Sequence, residues 1–146
     1  MTFALTSIDF TDGGPIPTEL TCDGADRPPT LAWSGAPEGT SEFALVFDDP
    51  DARGFVHWVV GGIPGDALGL TGSLPAGARE GRNDFNGTGY SGPCPPARHT
   101  YVMTLYALAG PLDLRGEVTA DAVRRAAAAK TLATATLRGT YGPRRG

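Results

Sequence analysis

The sequence predicts a mainly β domain built as a sandwich or layered sheet, and three observations carry that expectation. Glycine (21) and proline (13) punctuate a chain of 146 residues far more often than average. Short β-type runs fall between these turn formers through the first three quarters of the chain. Two of the runs are apolar on both alternate faces, the mark of strands lying between two layers. Coiled coils, helix bundles and solenoids do not fit this pattern. The length suits one domain over residues 1–146, large enough to bury roughly 68–70% of its unfolded surface without a structural metal.

The expected strands cover residues 4–10, 31–34, 41–48, 56–63 and 99–109. In the last, Tyr101, Met103, Leu105 and Ala107 form one face and Val102, Tyr106 and Leu108 the other. The run Glu42-Phe-Ala-Leu-Val-Phe47 reads the same way. Towards the end the composition turns to alanine. Thr119 can cap a helix, with Asp121 in its first turn and basic residues Arg124, Arg125, Lys130 and Arg138 from its middle onward. One helix through Leu137 is expected, broken near Lys130, with Gly139 as its stop signal.

The net charge of −4 argues against a nucleic-acid binder that reads phosphates with a basic stripe. Its distribution is uneven: residues 1–114 hold 5 basic and 14 acidic residues, and residues 115–146 hold 7 basic and 2 acidic. A solvated arginine face explains this, and a docking surface for an acidic partner is the alternative. The first ten residues show no basic segment and no long apolar stretch, so neither a signal peptide nor stable membrane insertion is expected. The expected location is cytoplasmic, and in a reducing cytoplasm Cys22 and Cys94 are expected as free thiols. Two cysteines make neither a disulfide scaffold nor a zinc pattern.

The chain has two histidines, His57 and His99, each on an expected central strand beside a loop of turn formers. Asp48-Asp49-Pro50-Asp51 precedes the first, and residues 87–96, with Gly87, Gly89 and Gly92, precede the second. A lone strand histidine is usually a core residue, but two so placed suggest a shared site. Three chemistries suit it. The imidazoles could act as acid and base, with Asp49 or Asp51 fixing a tautomer. They could join glycine-loop N–H groups in an anion cradle. They could bind a divalent metal, although the spacing is wrong for a metal motif and no metal or cofactor is expected. Ser91 lacks a nucleophile elbow, and prolines flank Cys94 on both sides, so covalent catalysis is not expected.

The segments Asp49-Pro-Asp-Ala52, His57-Trp-Val-Val60, Ile63-Pro64, Asn83-Asp-Phe85, Gly89-Tyr90, Gly92-Pro-Cys-Pro-Pro96 and His99-Thr-Tyr101 occur in the order found in the phosphatidylethanolamine-binding protein family. Cys22-Asp-Gly24, Pro28-Pro29, Leu31-Ala-Trp33 and Leu137-Arg-Gly-Thr-Tyr141 also fit, so the resemblance spans nearly the whole chain. It is nearest to the short bacterial and archaeal branch called Raf-kinase-inhibitor-like.

This resemblance implies a Greek-key β-sandwich with a C-terminal helix and short peripheral helices, and a small anion pocket at one end. Asp49, Asp51, His57 and His99 match the family's pocket residues, and backbone N–H groups near Gly89, Tyr90 and Tyr101 would complete the cradle. The implied ligand is a small anion or phosphorylated headgroup. A protein partner under regulation and a homodimer also accord with the family's habits. Three departures concern specificity: Arg53 replaces a usual proline, the connection from Asp51 to His57 is short, and Gly62 replaces a common asparagine. A trimmed loop should alter one wall, and Arg53 could add a positive group at the rim. Binding rather than catalysis is expected, so no residue is assigned as catalytic. The rival reading is an enzyme using His57, His99 and Asp49 as acid–base groups in hydrolysis, isomerisation or cyclisation of a small organic substrate.

Overall fold

The computed structural model describes residues 2–114 and 116–143. The strands are β1 (Ala4–Ser7), β2 (Gly14–Pro15), β3 (Leu31–Ser34), β4 (Glu42–Asp49), β5 (Phe55–Pro64), β6 (Gly69–Leu70), β7 (Arg79–Glu80), β8 (His99–Leu108) and β9 (Thr131–Tyr141). One helix, α1 (Ala120–Ala127), precedes β9, and 3₁₀ turns cover Thr18–Leu20 and Pro50–Ala52. The fold is mainly β, in two sheets, as expected. The smaller has strand order β1-β3-β6 and the larger β2-β9-β8-β4-β5-β7.

The doubly apolar runs lie where their patterning requires. On β4, Phe43, Leu45 and Phe47 join Tyr101, Met103 and Leu105 of β8 in a cluster shared with Leu5, Leu31, Trp33 and Leu70 of the smaller sheet. Ala44 and Val46, pointing the other way, pack with Val118, Val123 and Ala127 around α1. Phe43 to Phe47 are each at most 1% exposed, so this strand has an apolar layer on either side.

The long C-terminal helix is corrected. Thr119 does cap α1, its Oγ1 accepting from the Ala122 N–H at 3.0 Å, but the helix ends at Ala127. The segment Thr131–Tyr141 is a strand. In it Ala135, Leu137 and Gly139 are buried while Thr134, Thr136 and Arg138 are exposed, a period of two. Alanine favours helix, but strand β9 supplies β8 with a partner from His99↔Tyr141 to Leu108↔Thr131. Pairing along the full length of a core strand outweighs a weak local propensity. Gly139 is therefore no helix stop. It lies within the strand, where a Cβ would press on Ile16 and Phe10.

The free-thiol expectation is also corrected. Cys22 and Cys94 form a disulfide, with Cα atoms 5.5 Å apart. The two loops that carry them are sewn together on either side of it. Tyr90 Oη donates to Leu20 O at 2.6 Å, the Gly92 N–H to Asp26 Oδ1 at 2.8 Å, and the Cys22 N–H to Pro93 O at 3.2 Å. The approach is so close that a Cβ on Gly92 would collide with the Leu20 carbonyl, so glycine is required there.

Candidate functional site

The site forms because β4 runs antiparallel to both of its neighbours. Its C-terminal end, bearing Asp49, therefore lies beside the starts of β5 and β8. Asp49 pairs with Phe55, and Asp48 with Val56 and Val102. Alternation then sends Phe55 and His57 to one face of β5, and His99 and Tyr101 to one face of β8. Asp49, His57, His99 and Tyr101 line a single cavity of about 170 Å³ with Ala52, Phe55, Phe85, Cys94, Pro95 and Pro96. Histidines 42 positions apart in the chain thus share one chamber, the Tyr101 ring lying 5.4 Å from that of His57 and 6.2 Å from that of His99.

Each polar group is held by a specific partner. The buried Asp49 accepts at Oδ2 from His99 Nδ1, 2.6 Å away, and at Oδ1 from the Asp51 N–H at 2.9 Å. The second bond caps the Pro50–Ala52 turn. Asp51 does not line the cavity. Its Oδ2 accepts from the Thr100 N–H at 2.8 Å and pins the turn to the start of β8. His57 Nδ1 lies 2.7 Å from Ser91 O, and because a carbonyl only accepts, that nitrogen carries the proton. Both Nδ1 atoms are therefore occupied, and no side-chain hydrogen bond engages either Nε2 among the described residues.

Burial sets the charge state of His57. At 3% exposure, desolvation lowers its pKa below the ordinary value, outweighing the opposing pull of the Ser91 backbone and the Asp49 charge. The neutral tautomer with a proton on Nδ1 presents a lone pair at Nε2. Burial likewise raises the Tyr101 phenol, and Asp49 and Asp51 add to that rise, so its hydroxyl stays neutral.

His57 ties stability to pH. With its folded pKa depressed, the unfolded chain binds the extra proton first as pH falls below about 6.5. Stability should therefore drop through the window between that value and the lowered folded pKa, by up to about 1.4 kcal/mol per pH unit. Urea titrations at successive pH values check this. The slope should shrink in His57→Phe, and an unchanged slope would remove the assignment.

The glycine-loop cradle is corrected. The Gly87 N–H donates to Asn83 Oδ1 at 3.2 Å, Gly89 to Gly81 O at 3.0 Å, and Gly92 to Asp26 Oδ1. All three serve the fold. Neither Gly89 nor Tyr90 lines the cavity. Tyr90 packs against Phe47 and Trp58, with its hydroxyl on Leu20 O, and burial raises its pKa. Arg53 does not reach the rim either. It lines a separate groove of about 540 Å³ with Arg82 and Arg124, where Asp84 and Asp121 offset the positive charge.

An apolar wall, which the sequence patterning does not reveal, completes the cavity. Phe55 and Phe85 meet edge to face at 4.7 Å, with the His57 ring 5.2 Å and 5.5 Å away. Phe85 is held by a turn in which Asn83 Oδ1 accepts the Phe85 N–H and Asp84 Oδ2 accepts the Val56 N–H. A signal for Phe55 existed, since it lies two residues before His57 on a strand and must share its face. Only the fold could bring Phe85 there.

A family model described as phosphatidylethanolamine-binding protein matches residues 6–142. The chain belongs to the phosphatidylethanolamine-binding protein family. Among its relatives, a UPF0098 protein of Methanothermobacter thermautotrophicus is 42% identical over 141 residues, covering 90% of this chain and 93% of that protein. LppC of Mycobacterium tuberculosis, whose name describes a lipoprotein, is 44% identical over 138 residues, 90% of this chain and 68% of its own. Of solved structures, Escherichia coli YbcL superposes with a TM-score of 0.91 at 32% identity, covering 99% of this chain and 100% of that one. CT736 of Chlamydia trachomatis, described as a homolog of this family, gives 0.90 at 32% identity, with 98% and 99% covered.

Proposed function

We propose that this protein binds a small anion or phosphorylated headgroup. The observation that carries this reading is the pair of imidazoles in one cavity with both Nδ1 atoms taken and both Nε2 atoms free. At about 170 Å³ the cavity falls below the roughly 300–1,000 Å³ of pockets for drug-sized ligands. That size suits a headgroup, not a whole lipid. Its ring and proline walls are apolar, which strengthens any charge-assisted bond formed against them. A cationic end of the ligand would meet the faces of Phe55 and Phe85 in the same cavity, which Asp49 also lines.

Calorimetric titration with phosphate near neutral pH tests the reading. His99→Ala should weaken binding at least roughly tenfold, the worth of one charge-assisted hydrogen bond. Equal affinity in the variant would sink it. The His99–Asp49 pair also favours a second reading, because a carboxylate on Nδ1 is how a general base is oriented. On that reading the same pocket would turn over a small organic substrate, and product formation lost in Asp49→Asn would distinguish catalysis from binding.

The formed disulfide favours an oxidising compartment over the expected cytoplasm.

A further inference from the structure

We propose that the Cys22–Cys94 disulfide is a thiol-exchange site whose opening releases one wall of the imidazole cavity. Both cysteines are exposed, and Cys94 lines the cavity together with Pro95 and Pro96. Exposed disulfides are the ones that thiolates reach, and they tend to be the labile or regulatory ones.

The attachments around this wall make the bond matter. Hydrogen bonds that fix the chain before it stop at Pro93, whose carbonyl accepts the Cys22 N–H. They resume at His99, which pairs with Tyr141 on β9. Between these points Pro95 and Pro96 have no N–H to donate. Among the described residues, Cys94 and Ala97 make no hydrogen bond, and Arg98 reaches only Thr140 Oγ1, at 3.5 Å. The disulfide is thus the firm tether for the proline wall. Upstream, Tyr90, Gly92 and Pro93 stay bonded to the 20–26 loop whether or not the disulfide is closed. Opening should therefore be local.

The exchange balances with a low-molecular-weight thiol as reductant. Its thiolate attacks one sulfur, a mixed disulfide forms as the S–S bond breaks, and the other cysteine leaves as a thiolate that takes a proton from solvent. A second thiolate then attacks the first thiol's sulfur in the mixed disulfide, and the protein's cysteine leaves as a thiolate that is protonated in turn. The protein gains two electrons and two protons, and the reductant departs as its own disulfide.

The effect on binding rests on the anion-site reading, whereas the exchange itself does not. The test treats the native protein with glutathione and tracks three readouts: intact mass, trypsin cleavage after Arg98, and phosphate affinity. Expected results are a mixed disulfide formed without denaturant, cleavage at Arg98 rising about tenfold as the wall opens, and weaker phosphate binding, with far-UV dichroism unchanged. Cys22→Ser, outside the cavity lining, should reproduce the reduced behaviour under oxidising conditions. A disulfide inert to glutathione, an Arg98 still protected after reduction, an unchanged phosphate affinity, or global unfolding would each overturn the proposal. Exchange with wall opening in a protein that never binds phosphate would uphold the exchange site and sink the anion reading.

Discussion

Sulfate should bind more tightly as pH is lowered from about 8 towards about 6, by up to about tenfold per unit. Phosphate should show a similar trend, but sulfate keeps its charge over this range and isolates the protein's contribution. The slope comes from His57. Burial holds its imidazole neutral near neutral pH, with the Nδ1 proton on Ser91 O and a lone pair at Nε2. A lone pair repels an anion and an N–H attracts one, so binding must bring a proton to Nε2. That fixes the sign: an anion raises the pKa that burial lowered, each binding event takes up a proton, and affinity grows as protons become more available. Calorimetry in buffers of differing ionisation enthalpy measures the uptake directly, and it should approach one proton per anion. His57→Phe, which keeps a ring in the aromatic cluster, should flatten the slope. A flat profile in the unaltered protein would mean that anions do not meet His57 at all.

Cys22→Ser lowers the unfolding free energy by about 2–4 kcal/mol. The cysteines are 72 positions apart, so the bond closes a long loop in the unfolded chain and removes much of its freedom. Contacts up to Pro93 change little, because the flanking hydrogen bonds from Tyr90, Gly92 and Cys22 persist without it, and only the proline wall beyond is released. Urea denaturation should show a lower midpoint. Typical domains are stable by about 5–15 kcal/mol, so the variant should still fold. A loss below about 1 kcal/mol would show that the unfolded chain is already restrained between these loops.

The patterning of residues 43–47 and 101–108 revealed the two-layered core, because alternation on a strand maps directly onto the two faces of a sheet. The placing of Asp49, His57, His99 and Tyr101 came from motif order, and antiparallel pairing explains why they meet. Residues 131–141 misled because alanine supports helix locally, while their strand character depends on β8, more than twenty residues upstream. The glycines misled differently. Gly87, Gly89 and Gly92 look like an anion nest, but the partners that consume their N–H groups lie elsewhere in the sequence, at Asn83, Gly81 and Asp26. The disulfide depended on the same kind of distant meeting, between the 20–26 and 90–94 loops.

Having only two histidines, the chain allows the pocket to be observed ring by ring in a proton NMR titration with and without phosphate. In the free protein the His57 ring should titrate below the ordinary histidine range. Phosphate should move that midpoint upward, and both rings should shift on binding. Resonances of both histidines indifferent to saturating phosphate would contradict an anion site built on these imidazoles.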